Sequence, residues 1–215
     1  MAKLGDLGFK KDAIVETIVS TYNADGEPNA APMGAKLIDM RHLVFNLYNS
    51  SKTLSNIKSS RCAVVNLTGD IEVYYRSAFK EANPSGVLPK EWFLKAEAVN
   101  APKLRMAEAT VEVSVADLAA QGTQKTRVLF TVEQVNATQK FPQVYCRAFG
   151  ATLEAIIHAT RIKALANDPA EREHIAELLE RVAYNNDVVN HVAPDSSYSV
   201  VLADLMERIG VWVQK

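Results

Sequence analysis

The stretch Ser50-Ser-Lys-Thr-Leu-Ser-Asn-Ile-Lys-Ser-Ser-Arg-Cys-Ala-Val-Val-Asn66 decides the fold of the chain, because it joins two apolar runs. Residues 43–48 and 62–67 each predict a buried strand. Between them the stretch predicts one short helix, since two serines can cap it and a threonine stands in its first turn. The unusual residue is Lys52, because a lysine in the first turn faces the positive end of the helix dipole.

The first turn of this helix offers the groups that bind a phosphate monoester. Every helix N-terminus has free backbone N–H groups, and an anion bound there is favoured by the dipole. The hydroxyls of Ser50, Ser51 and Thr53 and the ammonium of Lys52 add further donors. The alternative is that Ser51 only caps a surface helix and Lys52 points into water. The residues alone leave both interpretations open.

Composition is typical of a globular protein with one large domain or one domain and an appendage. The chain has 215 residues, 48% of them hydrophobic, and a formal net charge of −1. This near-neutral charge gives no reason to expect nucleic acid or an anionic membrane surface as a partner. Cys62 and Cys146 lie in apolar segments without a CxxC pair, which is typical of reduced core cysteines. With no apolar leader and no long apolar run, we expect a cytoplasmic protein.

Alternating apolar residues predict an antiparallel sheet in the first part of the chain. The predicted strands are residues 13–21, 29–38, 43–48, 62–67, 109–116 and 127–135. A barrel is the usual way for such strands to avoid open edges. In residues 29–38, Pro32 cannot donate to a ladder and Gly34 has no side chain to pack. This strand is therefore predicted to be bulged, bent or at an edge, either as a surface for a flat ligand or as an ordinary barrel corner.

The pattern changes to a helical period after residue 141. Three helices are predicted: residues 143–166, a helix that begins at Asp168-Pro169, and one that follows Ser196 and ends before Gly210. We therefore predict a mainly β domain over residues 1–140 and a helical region over residues 141–215, packed on the barrel or on a dimer interface. The irregular segment 78–102 predicts either a lid over a ligand or a loop pinned to the core.

One polar stripe stands out on the first of these helices. Arg147, Glu154, His158 and Arg161 fall on a single stripe opposite the predicted apolar face. A solvated, ion-paired face explains this pattern, and the alternative is a face toward a second subunit or toward a ligand with phosphate or carboxylate. The four histidines lack metal-ligand spacing and no nucleophile motif is present, so no metal site and no catalytic side chain are predicted.

Several motifs resemble those of known flavoproteins. Residues 1–70 resemble the FMN-binding split β-barrel superfamily, which includes flavin reductases and flavoredoxins. The motifs concerned are Pro32-Met33-Gly34, Ser51-Lys52-Thr53 with Asn56, and Asn66 on the following strand. Most of the chain also resembles DUF447, an uncharacterised family found in methanogenic archaea and methylotrophic bacteria. That resemblance rests on Glu16-Thr-Ile-Val-Ser-Thr21, Asn29-Ala-Ala-Pro-Met-Gly34 and Arg147-Ala-Phe-Gly-Ala-Thr-Leu-Glu-Ala-Ile-Ile-His-Ala-Thr-Arg161.

The resemblance implies an antiparallel split β-barrel followed by a helical region, and a homodimer with FMN near the subunit interface. The implied cofactor site consists of Ala31, Pro32, Met33, Gly34, Tyr48, Ser50, Ser51, Lys52, Thr53, Asn56 and Asn66. In this site residues 50–53 hold the phosphate and residues 31–34 lie along the flavin ring. Tyr48, Asn56 and Asn66 supply hydrogen bonds to the ring or the ribityl chain. The alternative for Asn66 is a satisfied amide near the end of its strand.

The leading hypothesis for function is an FMN-dependent oxidoreductase of unknown substrate. The redox chemistry would belong to the flavin, which fits the missing catalytic motifs. The alternatives are a non-catalytic flavin carrier or sensor, a structural dimer that has lost flavin, and a relative that uses the deazaflavin F420. A bound chromophore and its reduction by a donor would separate these hypotheses.

Overall fold

The chain folds into two compact units. The computed structural model describes residues 3–9, 14–138 and 146–214. Residues 1–68 and 79–141 form the first unit, here called the barrel unit, and residues 69–78 and 142–215 form the helical unit. The domain boundary predicted between residues 140 and 141 lies outside the described residues. Residues 69–78, which fall within the predicted β domain, group with the helical unit.

The barrel unit contains a closed six-stranded antiparallel barrel, which confirms the fold predicted from the sequence. The barrel strands are β1 (Ile14–Tyr22), β2 (Pro28–Asp39), β3 (His42–Tyr48), β4 (Cys62–Leu67), β7 (Ala109–Gln121) and β8 (Lys125–Ala137). Two short strands, β5 (Phe93–Lys95) and β6 (Pro102–Leu104), lie between β4 and β7 in sequence. Neighbours around the barrel follow the order β1-β2-β3-β8-β7-β4. β5 and β6 pair only with each other. The helix α1 (Lys52–Ser60) connects β3 to β4, as the opening stretch predicts.

Side chains fill the interior of the barrel. Phe45 and Phe130 meet edge to face with their ring centroids 5.6 Å apart. Val111 and Val113 on β7 are fully buried in the same cluster. Such aromatic pairs add about 1 kcal/mol to the stabilisation that burial already gives. The interior is therefore a packed core, and a ligand of this unit has to bind outside it.

A buried carboxylate holds the loop before β6 against the barrel. Glu112 on β7 is fully buried, and its oxygens accept hydrogen bonds from the backbone N–H groups of Glu97, Ala98 and Val99. The distances to the nitrogens of Glu97 and Val99 are 3.0 and 3.2 Å. A buried charge is tolerated when hydrogen bonds replace its hydration. Part of the predicted irregular segment 78–102 is thus pinned to the barrel.

The described residues of the helical unit form four α-helices. These are α2 (Ile71–Ala78), α3 (Arg147–Leu165), α4 (Arg172–Val192) and α5 (Ser197–Val213). The start signal at Asp168-Pro169 is confirmed, since it opens a 3-10 turn that leads into α4. The predicted end of the last helix is wrong, because Gly210 lies inside α5. No helix of the described residues is long and apolar enough to span a membrane.

The predicted polar stripe on α3 is interrupted in the folded chain. Arg147, Glu154 and Arg161 are exposed, but His158 is only 7% exposed. The reason is that α3 packs against both α4 and α5, so more than one face is buried. Small side chains form most of that buried surface, namely Ala148, Ala151, Thr152, Ala155 and Ala159. His158 is therefore part of the interior of the helical unit and not of a solvated face.

A polar contact joins α2 to α5 inside the helical unit. The Tyr75 hydroxyl donates to the Asp204 carboxylate, and Arg208 Nε donates to both groups at 2.9 Å. Burial, followed by the negative charge of Asp204, raises the pKa of Tyr75. The hydroxyl therefore stays protonated and serves as a donor across the accessible pH range.

Candidate functional site

β2 and β3 are neighbours for only part of their length. Their pairing runs from Ala35 opposite Phe45 to Asp39 opposite His42. Residues 28–34 of β2 continue along β1, while β3 continues along β8 as far as Tyr48. The outer backbone edge of residues 28–34 therefore has no strand partner among the described residues. We call the opening between residues 28–34 and residues 46–48 the cleft.

The cleft has small side chains on its β2 side, but residues 31–34 do not share one face. Met33 and Ala35 pack against the barrel core, and strand alternation places Ala31 on that inward face. Pro32 and Gly34 lie on the outer face, where Gly34 is exposed. For residues 31–34 to lie along a flat ring, as predicted, the contact would have to be made by the backbone and not by four side chains on one face. The backbone of all four, however, runs along the open edge.

Gly34 allows the Ile14 side chain of the neighbouring strand to pack closely on the outer face of β2. A Cβ atom at this position would lie 2.8 Å from Cγ2 of Ile14 on the neighbouring strand. A side chain here would force that isoleucine aside and would cover the strand backbone. The absence of a side chain at this position is thus explained by the packing of Ile14.

α1 begins directly after the β3 side of the cleft. Ser51 caps the helix, and its Oγ accepts a hydrogen bond from the Leu54 N–H at 3.1 Å. Lys52 is exposed in the first turn, and no carboxylate of the described residues forms an ion pair with it. The capping role of Ser51 is confirmed. It does not exclude an anion, because a hydroxyl that accepts one bond can still donate its own hydrogen.

A chain of polar contacts ties the first turn of α1 to a loop that sequence reasoning did not include in the site. Asn29 Nδ2 donates to Thr53 Oγ1 at 3.4 Å, and Lys80 Nζ donates to Asn29 Oδ1 at 2.5 Å. Asn29 and Thr53 are 3% and 2% exposed, so both lie beneath the surface. No motif marks Lys80, which stands in the irregular segment 78–102. Only the folded chain brings it beside α1.

The hydrogen-bonding groups of Asn66 are occupied within the protein. It is fully buried on β4, and its side-chain amide donates to Ile18 O and Ser20 Oγ, both at 2.8 Å. Its Oδ1 accepts the Leu104 N–H at 2.8 Å. These contacts occupy the amide, so the satisfied-amide alternative describes Asn66. The side chain joins β1, β4 and β6.

The remaining predicted residues border the cleft or α1. Tyr48 ends β3, is 56% exposed, and has Lys125 Nζ 4.5 Å from its ring centroid. Ser50 is exposed in the turn before α1. Asn56 lies one turn further along α1, where its amide donates to Thr21 Oγ1 at 3.0 Å and Asn23 Oδ1 at 2.9 Å. Asn56 therefore supports the end of the β1–β2 hairpin and keeps its Oδ1 as an acceptor.

No metal centre accompanies this site in the described part of the chain, where no group of three His, Cys, Asp or Glu side chains could hold an ion. The groups gathered at the cleft are ammonium, hydroxyl and backbone amide. Such groups are suited to binding anionic and hydrogen-bonding organic ligands.

Comparisons with known proteins identify the family and the fold of the chain. The model of the family described as "Protein of unknown function (DUF447) N-terminal domain" matches residues 15–154. Among solved structures, an FMN-bound DUF447 protein from Methanosarcina mazei is 24% identical, with a TM-score of 0.77 over 95% of this chain and 98% of that one. A proposed flavin reductase with a split barrel domain from Shewanella frigidimarina is 11% identical, with a TM-score of 0.51 over 61% of this chain and 70% of that one. No curated protein sequence matches. These similarities show the split-barrel fold.

Proposed function

Because the chain belongs to the DUF447 family, we propose that it is a flavoprotein that binds FMN in the cleft of its barrel unit. The observation that carries the proposal is the ammonium of Lys52 at the positive end of α1, with no carboxylate of the described residues paired to it. It stands next to an unpaired strand edge. Support also comes from the M. mazei family member, which has the same fold and is FMN-bound.

The groups around the cleft fit the parts of FMN. The phosphate would lie at the first turn of α1, where the ammonium of Lys52, the hydroxyls of Ser50 and Ser51, and free backbone N–H groups are donors. The ring has N–H and C=O groups along one edge, and these could meet the outer backbone edge of residues 31–34, which has no strand partner among the described residues. Gly34 is exposed and has no side chain of its own, although Cγ2 of Ile14 occupies the place that its Cβ would take.

The chain's own residues would bind and orient the cofactor. FMN, when bound, supplies the transfer of electrons to and from a second reactant. Lys52 would neutralise the phosphate, and the cap at Ser51 would hold the first turn in place. Thr53 and Asn29 would support that turn from below through their hydrogen bond. No side chain has to form a bond to a substrate, which fits the absence of a nucleophile motif.

We propose an oxidoreductase rather than a passive carrier, since the donors of this site position a redox cofactor. A homodimer and a cytoplasmic location belong to the same proposal. Ile14, Ile38 and Met40 are 60, 43 and 55% exposed on and beside the β1–β2 hairpin, where a second subunit would cover them. Both cysteines are free, as expected in a reducing compartment.

Titration of the protein with FMN, followed by flavin fluorescence, tests the binding proposal directly. Saturable quenching at one FMN per chain is the expected result, and unchanged fluorescence at a protein excess would refute it. Anaerobic addition of NADH or NADPH to the FMN-loaded protein then tests the enzymatic part. Bleaching of the flavin faster than that of free FMN is expected for an oxidoreductase. No acceleration with either donor would favour the carrier or sensor.

A further inference from the structure

We propose that Lys80 is the second cation of the phosphate subsite and that, with Lys52, it makes the cleft selective for a flavin with a terminal phosphate monoester. This inference rests on the proposed function and deepens it. It assigns a specificity role to a residue from segment 78–102. The expected order of affinity is FMN above FAD and FMN above riboflavin.

The backbone around Lys80 is fixed by hydrogen bonds of the barrel unit. Lys80 begins a 3-10 turn that ends at Ala82, directly after the buried Phe79. Asn83 donates to the Lys80 carbonyl from its backbone at 3.0 Å and from its side chain at 2.9 Å. The turn is therefore an ordered element. It holds the start of the lysine side chain in one place.

The ammonium of Lys80 reaches the first turn of α1 through one shared residue. Asn29 accepts from Lys80 with its Oδ1 and donates to Thr53 with its Nδ2. Thr53 directly follows Lys52 in the helix. The two lysines therefore approach the same turn from different elements, one from the helix itself and one from the loop.

The positive charge of Lys80 lacks a carboxylate partner among the described residues, so a bound anion would stabilise it. Among the described residues no carboxylate forms an ion pair with Lys80, and its hydrogen-bond acceptor is the neutral amide oxygen of Asn29. Burial, followed by the positive charge of Lys52, lowers the pKa of Lys80, and the neighbouring Glu81 offsets part of this. A half-buried cation beside a second cation and the positive end of a helix is unfavourable by itself. A bound dianion would reverse that cost.

The number of charges explains the selectivity. A phosphate monoester has a second pKa of about 6 and is close to a dianion at neutral pH. Two ammonium groups match that charge. Riboflavin has no phosphate, and each phosphate of FAD has one ester and one anhydride linkage, so it carries a single charge and a further group is attached to it. A subsite with two cations should therefore favour FMN over both.

The test is a set of dissociation constants for FMN, riboflavin and FAD, measured with the full chain at pH 7.5. The variants are Lys80→Met, which removes the charge, and Lys80→Arg, which keeps it. Lys58→Met is the matched control, because Lys58 is exposed in the last turn of α1, away from the first turn. We expect Lys80→Met to weaken FMN binding about tenfold or more, the scale of a charge-assisted hydrogen bond. Riboflavin affinity should stay within about twofold, and Lys80→Arg should restore most of the FMN affinity.

Two results would overturn the inference. One is an unchanged FMN affinity in Lys80→Met. The other is an equal loss for FMN and riboflavin, which would indicate that Lys80 only supports the loop. If the wild type binds no flavin, the proposed function itself fails, so the two failures are distinguishable.

A measurement on the wild type covers the case in which Lys80→Met does not fold. Burial and the charge of Lys52 lower the pKa of Lys80 in the free protein below the ordinary lysine value of 10.5, so Lys80 loses its charge at a lower pH than an ordinary lysine does. The ratio of FMN to riboflavin affinity should therefore fall as the pH rises from neutral toward that value. The ratio cancels the titration of the ring, which both flavins share. A ratio that stays constant over this range would contradict the assignment.

Discussion

Replacement of Lys52 by alanine should change stability and flavin binding in opposite directions. Lys52 is exposed in the first turn of α1, at the positive end of the helix, and no carboxylate of the described residues pairs with it. Its removal relieves a charge–dipole repulsion of a few tenths of a kcal/mol, and alanine is the best helix former. We expect the protein without flavin to gain about 0.5 kcal/mol. For a chain of this length that is an increase in Tm of about 1–2 °C.

The same substitution should weaken FMN binding. Lys52 would donate a charge-assisted hydrogen bond to the phosphate, and such bonds contribute about 1.5–3 kcal/mol. Because the side chain is exposed and screened by water, we expect the lower end of that range, which corresponds to about a tenfold increase in Kd. Riboflavin, which lacks the phosphate, should bind the variant and the wild type equally.

The assay combines thermal unfolding without flavin with fluorescence titrations of FMN and riboflavin. Lys58→Ala is the control, since it removes a lysine from the other end of the same helix, where a positive charge is favourable. The control should lower Tm slightly and leave the Kd of FMN unchanged. An unchanged Kd for FMN in Lys52→Ala would refute the phosphate assignment and leave Lys52 as a surface residue of a capped helix.

Three further substitutions test the supporting structure. Glu112→Gln replaces one acceptor oxygen by an N–H₂ group that faces the backbone donors of residues 97–99. We expect it to lower the free energy of unfolding, measured by chemical denaturation, by about 3 kcal/mol. A decrease below about 0.5 kcal/mol would show that the buried carboxylate is dispensable. Tyr75→Phe removes the hydroxyl that contacts Asp204 and Arg208 and should destabilise the helical unit by about 1.5 kcal/mol, and a neutral result would show that the remaining ion pair suffices. Burial, with the charges of nearby arginines, lowers the pKa of His158 from its ordinary 6.5, despite the opposing effect of Glu154. As the pH falls, His158 therefore takes up a proton in the unfolded chain before it does so in the folded one, and the stability present above pH 6.5 should be lost below that pH. In a series of Tm measurements at falling pH, His158→Gln should lose less stability than the wild type. An identical loss would show that His158 is not the cause.

The barrel could be predicted from the sequence because its strands carry local signals. Val111 and Val113 lie in the core, as their alternation predicts, but Glu112 between them is also buried, because the backbone of residues 97–99 covers it. The position of α1 follows in the same way from Ser51 and the apolar runs around it. These features depend on neighbours in sequence, so the printed residues are sufficient.

The cleft itself could not be predicted, because it depends on long-range pairing. β2 and β3 separate where β3 follows β8, a strand more than 75 residues further along the chain. Lys80 reaches α1 only after this arrangement forms. Asn66 looked like a ligand contact because its partners Ile18 and Leu104 are distant in sequence. His158 looked exposed because one helix seen alone does not reveal how many neighbours it has.

An absorbance spectrum of the purified protein, recorded after addition of FMN and desalting, tests the central claim most directly. Retained bands at about 375 and about 450 nm, the signature of an oxidised flavin, are the predicted result. They should be absent when riboflavin replaces FMN and the protein is desalted in the same way. A single retained band at about 420 nm from the untreated protein would point to a deazaflavin instead. A colourless protein after FMN treatment would contradict the proposal that the cleft holds this cofactor.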